Sequence, residues 1–408
     1  MALSSIKRIL VGITGGIAAY KAAELVRLLV RQGIDVQVVM TQAACHFITP
    51  VTLQALSGKP VFTDLWDDRI DNGMAHIEFS RDADAILIAP ASADFLAKIT
   101  HGMADDLLSN ICLARSCPLM VAPAMNVQMW ENPATRRNVA QLKRDGVIVL
   151  GPDSGDQACG DTGMGRMLEP ETLLDAIDAS QQPKLLAGKK VLITAGPTFE
   201  AIDAVRGITN LSSGKMGYAI ARAAIEMGAE VTLVSGQTSL KSPHGANLVK
   251  VTTTQQMLSA VMENLQDRDI FIGVAAVADY YVLNPSEQKI KKDAHILTLE
   301  LAPNPDILAN VVNLPDPPFC VGFAAESENL YEFAEHKRRR KNLPLLAANL
   351  IQDAFGGDES ELILLDDKGA HPLPRAPKLT LARQLLKHVA GMLKEQKSAT
   401  AQPITEQS

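Results

Sequence analysis

Ile9-Leu10-Val11-Gly12-Ile13-Thr14-Gly15-Gly16-Ile17 joins a short apolar run to a glycine turn. The run 9–13 is too short for a helix and suits a strand buried on both faces. Past the turn, Ala18, Ala22, Leu25 and Leu29 share one helical face, and Gly33 is a natural helix stop. Residues 36–40 make the next strand. The product is a βαβ unit, whose crossover is expected to be right-handed.

The same grammar restarts near residue 189. Lys190-Val191-Leu192-Ile193-Thr194 reads as a strand and Ala195-Gly196-Pro197-Thr198 turns away from it. Ser212-Ser213-Gly214-Lys215 then opens a helix with Met216, Ile220, Ala224 and Met227 along one stripe, and residues 231–234 follow as a strand. Two such starts imply two α/β domains in tandem, joined near residues 181–188, where Gln181-Gln182-Pro183-Lys184 breaks the pattern. Further buried strands are expected at 85–89, 119–122 and 270–274. Each is followed by small or polar residues, where ligands sit outside the carboxyl ends of strands.

The 408 residues are 47% hydrophobic and 21% charged, which provides a core and excludes wholesale disorder. Lys and Arg total 39 against 46 Asp and Glu, a net charge of −7. That balance argues against nucleic acid as a partner, which needs a basic surface. Five cysteines in so long a chain form no disulfide framework and favour a reducing compartment. Lys7 and Arg8 before an apolar run imitate a signal peptide, but Thr14-Gly15-Gly16 interrupts it. No stretch reaches the length of a membrane span, so a cytoplasmic location is expected.

Several standard motifs fail. Gly12-Ile13-Thr14-Gly15-Gly16 lacks the G-x-G-x-x-G spacing, and no acid follows Val39 to hold a ribose, which counts against an NAD-linked oxidoreductase. The chain has no C-x-x-C, H-E-x-x-H or G-x-S-x-G, and Met216 and Thr209 occupy positions that a Walker loop gives to other residues. What remains at 14–17 is a helix N-terminus suited to a mononucleotide phosphate or simply a tight turn. Cys159 lies among glycines and acids in Gly155-Asp156-Gln157-Ala158-Cys159-Gly160-Asp161, where packing gives no reason for a thiol. A loop there suits a lid delivering a proton or a nucleophile. Cys45, Cys112, Cys117 and Cys320 read as structural. His76 alone is more simply a hydrogen-bonded structural residue unless it shares a cleft with Asn126 and Cys159.

Taken in order, Gly15-Gly16-Ile17-Ala18-Ala19-Tyr20-Lys21, His76-Ile77-Glu78, Pro123-Ala124-Met125-Asn126 and Ala158-Cys159-Gly160 resemble the FMN-dependent cysteine decarboxylases. More narrowly, the first half resembles the phosphopantothenoylcysteine decarboxylase half of the bifunctional coenzyme A biosynthesis family. The resemblance implies that FMN oxidises the cysteinyl side chain to a thioaldehyde, which serves as electron sink for loss of CO2 before the electrons return. It makes His76 a catalytic base or orienting residue, Asn126 a holder of the substrate carboxylate and Cys159 the proton donor on a lid. Thr14, Gly15, Gly16, Ser92 and Met125, with Met103, Ala104, Asp105, Asp106, Leu107, Leu108 and Ser109, are expected around FMN.

In the second half, Asp203-Ala204-Val205-Arg206-Gly207-Ile208-Thr209-Asn210, Ala275-Ala276-Val277-Ala278-Asp279 and Lys289-Ile290-Lys291-Lys292 stand out. An acid at a strand end with clustered lysines is what a Mg2+–triphosphate needs, although residues 337–341 alone read as a solvated helix face. These groups resemble the phosphopantothenate–cysteine ligase half of the same family. Such enzymes activate the 4′-phosphopantothenate carboxylate with CTP as an acyl-cytidylate, which the amine of L-cysteine attacks. By resemblance, Lys289 stabilises phosphate charge, Asn210 assists the acyl-cytidylate step and Asp279 coordinates metal or nucleotide. Ala275, Asn304, Pro305, Asp306, Ile307, Phe323, Lys337 and Lys341 would line the CTP site, and Arg206 would hold phosphopantothenate. The family usually has Pro, Tyr and His where this chain has Ala204, Gly207 and Leu211.

The fold expected is therefore α/β, two tandem doubly wound parallel-sheet domains. A flavodoxin/Rossmann-like flavoprotein domain covers 1–187, a Rossmann-like ligase domain 188–394, and a patternless, disordered tail 395–408. The family implies homo-oligomers, with trimer-based flavin domains and dimeric ligase domains. The alternative is a flavoprotein binding or regulatory subunit of the same fold, against which Cys159, His76, Asn126 and the ligase half all weigh.

Overall fold

The computed structural model describes residues 6–67, 69, 74–292, 296–326, 329–350 and 357–400. It divides into two compact units between Gln182 and Pro183. The break precedes the expected 187/188 boundary because Leu186 is buried in the second unit's core and its N–H donates to Met227 O.

In the first unit, β1 (Arg8–Ile13), β2 (Asp35–Met40), β3 (Ala85–Ala91), β4 (Leu119–Pro123) and β5 (Ile148–Val149) form one sheet in the order 2-1-3-4-5. Every pairing in it is parallel. Alternate residues of one strand enter opposite cores. Ile9, Val11, Ile13, Leu87 and Met120 pack on one side, and Leu10, Ile86, Ile88 and Val121 on the other. The helix Ala19–Arg31 buries Ala19, Ala22, Leu25, Val26 and Leu29, and Gly33 at φ +79° follows its end. Truncating a fully buried side chain such as Leu87 to Ala would cost about 2–5 kcal/mol. A β-hairpin, β6 (Asp153–Asp156) with β7 (Thr162–Arg166), follows the sheet.

In the second unit the chain runs through β8 (Lys190–Ala195), β9 (Phe199–Ala201), β10 (Gly207–Thr209), β11 (Glu230–Ser235) and β12 (Ala246–Lys250). It continues through β13 (Ile270–Gly273), β14 (Tyr280–Val282), β15 (Leu301–Pro303), β16 (Phe319–Glu326), β17 (Leu345–Leu350), β18 (Glu359–Asp366) and β19 (Gly369–Pro377). The main sheet has the order 12-11-8-13-16-17-18-19, parallel as far as β17 and antiparallel beyond it. Two antiparallel ribbons, β9–β10 and β14–β15, stand apart from it. In both units the first strand lies between strands wound in opposite directions, which opens a crevice at its carboxyl end.

The helix Lys378–Thr400 replaces the start of the expected tail at 395. Its Leu385, Leu386 and Val389 are buried, and Lys368 pairs with Glu395 at 2.7 Å, so good helix formers continue the last turns. The rest of that expectation, 401–408, lies outside the described residues. Among the described residues, no helix is long and apolar enough to cross a membrane.

Candidate active sites

Three strand ends meet at the first crevice. Thr14, past β1, donates from N and Oγ1 to Pro90 O, and its Oγ1 accepts from Ser92 N at 2.9 Å. Ala124 N, past β4, donates to Ala91 O. Thr14 is thus a buried brace between β1 and β3 rather than a side chain open to a ligand. Ser92 Oγ accepts from Phe95 N and caps the helix Ala93–Thr100.

The turn after Thr14 has the features of an anion cradle. Among the described residues, no protein acceptor takes the N–H groups of Gly15, Gly16, Ile17 or Ala18. They precede a helix whose N-cap has no side-chain cap. A Cβ on Gly16 would meet nothing within 4 Å, whereas one on Gly15 would lie 2.7 Å from Ala43 Cβ. The glycines therefore leave room in front of the turn and allow close packing behind it. Lys21, in the same motif, is structural: it is buried and bonds Met167 O and Glu169.

The 103–109 segment divides in two. Met103, Ala104 and Asp105 are exposed, and Asp105 pairs with Lys98. Asp106 and Ser109 form a capping box, and the Leu107 and Leu108 side chains are core. Leu107 and Leu108 are thereby left with their backbone to offer a ligand. His76 stands on the helix Ala75–Asp82 with a buried Nδ1 that has no hydrogen-bond partner among the described residues. A buried unpaired ring nitrogen is costly, which is the mark of a group awaiting a partner.

The hairpin β6–β7 carries Cys159 against the 124–128 loop. Met125 N donates to Gly165 O, and Val127 N to Gln157 Oε1. Gly165 has φ +134°, and a Cβ there would lie 2.3 Å from Met125 O. Asn126 caps the helix Val127–Glu131 by accepting from Gln128 N. Its Nδ2 donates to Asp161 Oδ2 at 2.7 Å and to Cys159 Sγ at 3.1 Å, while the thiol donates to Asp161 at 3.4 Å. Asp161 and Gln157 were not singled out from sequence, although Asp161 stands two residues past the cysteine.

In the second unit the crevice opens between β8 and β13. Pro197 bridges Ala276, Thr198 N donates to Ala276 O, and Ala276 N donates to Gly196 O. Asn210 Nδ2 bonds both Ala276 O and Val277 O at 3.0 Å. Asn304 bonds Ala278 O through Nδ2 and Asp279 O through its N–H. The structure thus gathers Asn210, Ala275, Asp279 and Asn304 around one strand end, with Phe323 on the neighbouring β16. Asp306 caps the helix Ile307–Val312 and meets Lys341 at 2.5 Å. Burial pushes the Asp306 carboxyl up, but Lys341 and the Ala309 N–H outweigh it and hold it low. Lys337 is half-buried and adds attraction on Asp306, while Pro305 and Ile307 flank that acid.

Arg206 and Asp203 clamp two loops. The guanidinium donates from Nε and Nη2 to Asp203 Oδ2 and from Nη2 to Ile290 O, while Ile290 N donates to Asp203 Oδ2. Exposed Lys289 is held next to that junction. The Arg206 guanidinium, with the Val205 and Arg206 N–H groups, keeps the Asp203 carboxyl far below the ordinary range. The departure at Gly207 has a local cause: a Cβ there would fall 2.3 Å from the Phe199 ring on the paired strand. Ala204 and Leu211 are exposed.

Gly214 begins the helix Lys215–Glu226 with φ +75°, and a Cβ on Gly217 would lie 2.5 Å from Ala195 Cβ. Lys215 is paired with Asp358 at 2.7 Å. A separate cleft of about 780 Å³ lies at the ends of β11 and β12, lined by residues such as Tyr218, Gln237, Lys250 and Glu263. It contains none of the residues selected from sequence. Thr198, also unselected, is fully buried and receives Ala278 N on its hydroxyl.

Residues 2–182 match the Flavoprotein family, and residues 186–393 match the DNA/pantothenate metabolism flavoprotein C-terminal domain. The coenzyme A biosynthesis bifunctional protein CoaBC of Vibrio cholerae is 50% identical over 386 residues, covering 93% of this chain and 97% of that protein. Its namesake in Escherichia coli is 48% identical over 391 residues, covering 94% and 96%. A crystal structure of the C-terminal domain of a CoaBC protein is 40% identical, covers 52% of this chain and 99% of its own, and has a TM-score of 0.46. With both halves matched in order and nearly the whole length aligned, the chain belongs to the family of coenzyme A biosynthesis bifunctional proteins.

Proposed function

We propose that the second unit joins 4′-phosphopantothenate to L-cysteine with CTP, and that the first unit decarboxylates the product to 4′-phosphopantetheine with FMN. The observation that carries this reading is the convergence of Cys159, Asn126 and Asp161 on one another, in a chain that also bears the second crevice. Bound FMN would supply the reversible two-electron oxidation that makes loss of CO2 feasible.

The residues present fit that cofactor. The N–H groups at 15–18 would receive its phosphate, and the exposed 103–105 segment and Met125 would border it. Asn126 Nδ2 exchanges the Asp161 carboxylate for that of the substrate, and Cys159 returns a proton to the reduced product. His76 Nδ1 supplies a donor or an acceptor beside the reacting group.

In the ligase half, Lys289 and Lys341 neutralise triphosphate charge and Arg206 takes the substrate phosphate. Exposed Asp279 would hold Mg2+ together with those phosphates. We place both steps in the cytoplasm, in a homo-oligomer with trimeric flavin and dimeric ligase contacts.

The test is mass spectrometry of purified protein with 4′-phosphopantothenate, cysteine, CTP and Mg2+. The expected products are CMP and 4′-phosphopantetheine. Accumulation of phosphopantothenoylcysteine by flavin-loaded protein would remove the decarboxylase assignment. Failure to form either compound would remove both.

A further inference from the structure

At the far edge of the second sheet, three side chains from three elements converge away from that sheet's crevice. Asp366 ends β18, His371 lies on β19 across the hairpin, and His388 projects from the helix Lys378–Thr400. His371 Nε2 lies 3.0 Å from Asp366 Oδ1, and His388 Nε2 lies 2.9 Å from Oδ2. The rings stand 4.7 Å apart, and one ligand atom from each residue falls within 4.8 Å of the others. We propose that Asp366, His371 and His388 form a divalent-metal site of the zinc type, which fastens the C-terminal helix to the edge hairpin.

The donor set is the reason. Two imidazoles and one carboxylate suit zinc, which binds such atoms at about 2.0–2.2 Å. Tetrahedral ligands at that radius stand roughly 3.3 Å apart, and the two nitrogen–carboxylate separations of 3.0 and 2.9 Å lie close to that spacing. Asp366 is 4% exposed, and a carboxylate taken from water calls for a cation or several donors. The two imidazoles remain partly open, leaving a side from which an ion and its water can enter. Lys368, the adjacent cation, directs its ammonium to Glu395 and only its backbone N–H to Asp366.

Binding needs no redox partner. Each neutral imidazole moves its proton from Nε2 to Nδ1 and gives Nε2 to the metal, and an imidazolium releases one proton to solvent. Glu395 and Lys368 already join the same helix and hairpin, so the metal adds to an existing contact. The site is independent of the catalytic reading above.

The test uses chelator-treated full-length protein, without CTP, titrated with Zn2+ by calorimetry and with Co2+ by visible absorption. We expect one ion per chain beyond any bound elsewhere, a tetrahedral Co2+ spectrum without sulfur charge transfer, and a melting temperature raised by several degrees. His371→Gln and His388→Gln should each weaken binding at least tenfold (on the order of one lost ligand), whereas Cys159→Ser should not. The Co2+ spectrum of the unchanged protein decides the matter even if a histidine variant folds poorly. No ion bound, a thiolate-type spectrum, or full binding in folded His388→Gln protein would overturn the proposal.

Discussion

Asp161 Oδ2 lies 2.7 Å from Asn126 Nδ2, so a hairpin side chain grips the residue that begins the helix Val127–Glu131. The same carboxylate receives the Cys159 thiol. Removing it in Asp161→Ala leaves the hairpin without its charged anchor. Decarboxylation should fall about 10–100-fold, the weight of a charge-assisted hydrogen bond, with ligation unchanged. Separate assays of the two half-reactions check this, and an equal loss in both would count against it.

Cys159→Ser removes the thiol and keeps the fold. Flavin should remain bound, measured as absorbance per protein, and turnover should stop after substrate oxidation. Full turnover would sink the role given to the thiol.

The hairpin depends on Gly165 as much as on its polar contacts. A Cβ there would overlap Met125 O, at a φ that L residues rarely adopt. Gly165→Ala should displace the hairpin and lower decarboxylation, at a stability cost of about 1–3 kcal/mol. Thermal melting and the product assay together separate displacement from unfolding.

Arg206→Lys keeps the charge but loses the two-pronged grip on Asp203 and the bond to Ile290 O. Ligation should drop by roughly tenfold or more while decarboxylation of supplied phosphopantothenoylcysteine persists. Parallel rates with the two substrates test it.

Thiol labelling should order the cysteines. Cys159 is exposed, whereas burial pushes the Cys112 and Cys320 thiols up to about 12. Mild alkylation should mark Cys159 first and spare the other two until unfolding. Peptide mass spectrometry reads the sequence of events.

Glu335 provides a pH marker. Arg338 and Arg339 hold its carboxyl at about 2 against an ordinary 4.5. Its depressed value means the stabilisation is present above about pH 4.5 and is lost as pH falls through about 2. Wild type should exceed Glu335→Gln by about 1 kcal/mol at neutral pH, and the gap should close in acid. Chemical denaturation across that range measures it.

The tandem α/β plan was legible because its signals are local. A buried run ending in glycine, then a 3.6-residue stripe, specifies strand and helix without distant information, as residues 9–33 show. Cys159 likewise stands out through its surroundings, and Asn126 through the resemblance. Asp161 was not, since its use depends on a hairpin register that brings it to Asn126. For Leu107 and Leu108, the sequence marks the segment, but whether side chain or backbone is free for a ligand is decided by packing, which buries both side chains. The Lys378–Thr400 helix escaped because Glu395 finds its partner 27 residues earlier, in Lys368.

Ser92, Asn126 and Asp306 each begin a helix at the same time as they border a crevice. On the proposed roles, a change at any of them would be weighed twice by selection, once for folding and once for chemistry. Replacements that spare the first role form a narrow set of small oxygen-bearing residues. Drift toward an inactive but well-folded descendant would run through that set, with Asn126→Ser or Asn126→Asp as the shortest steps.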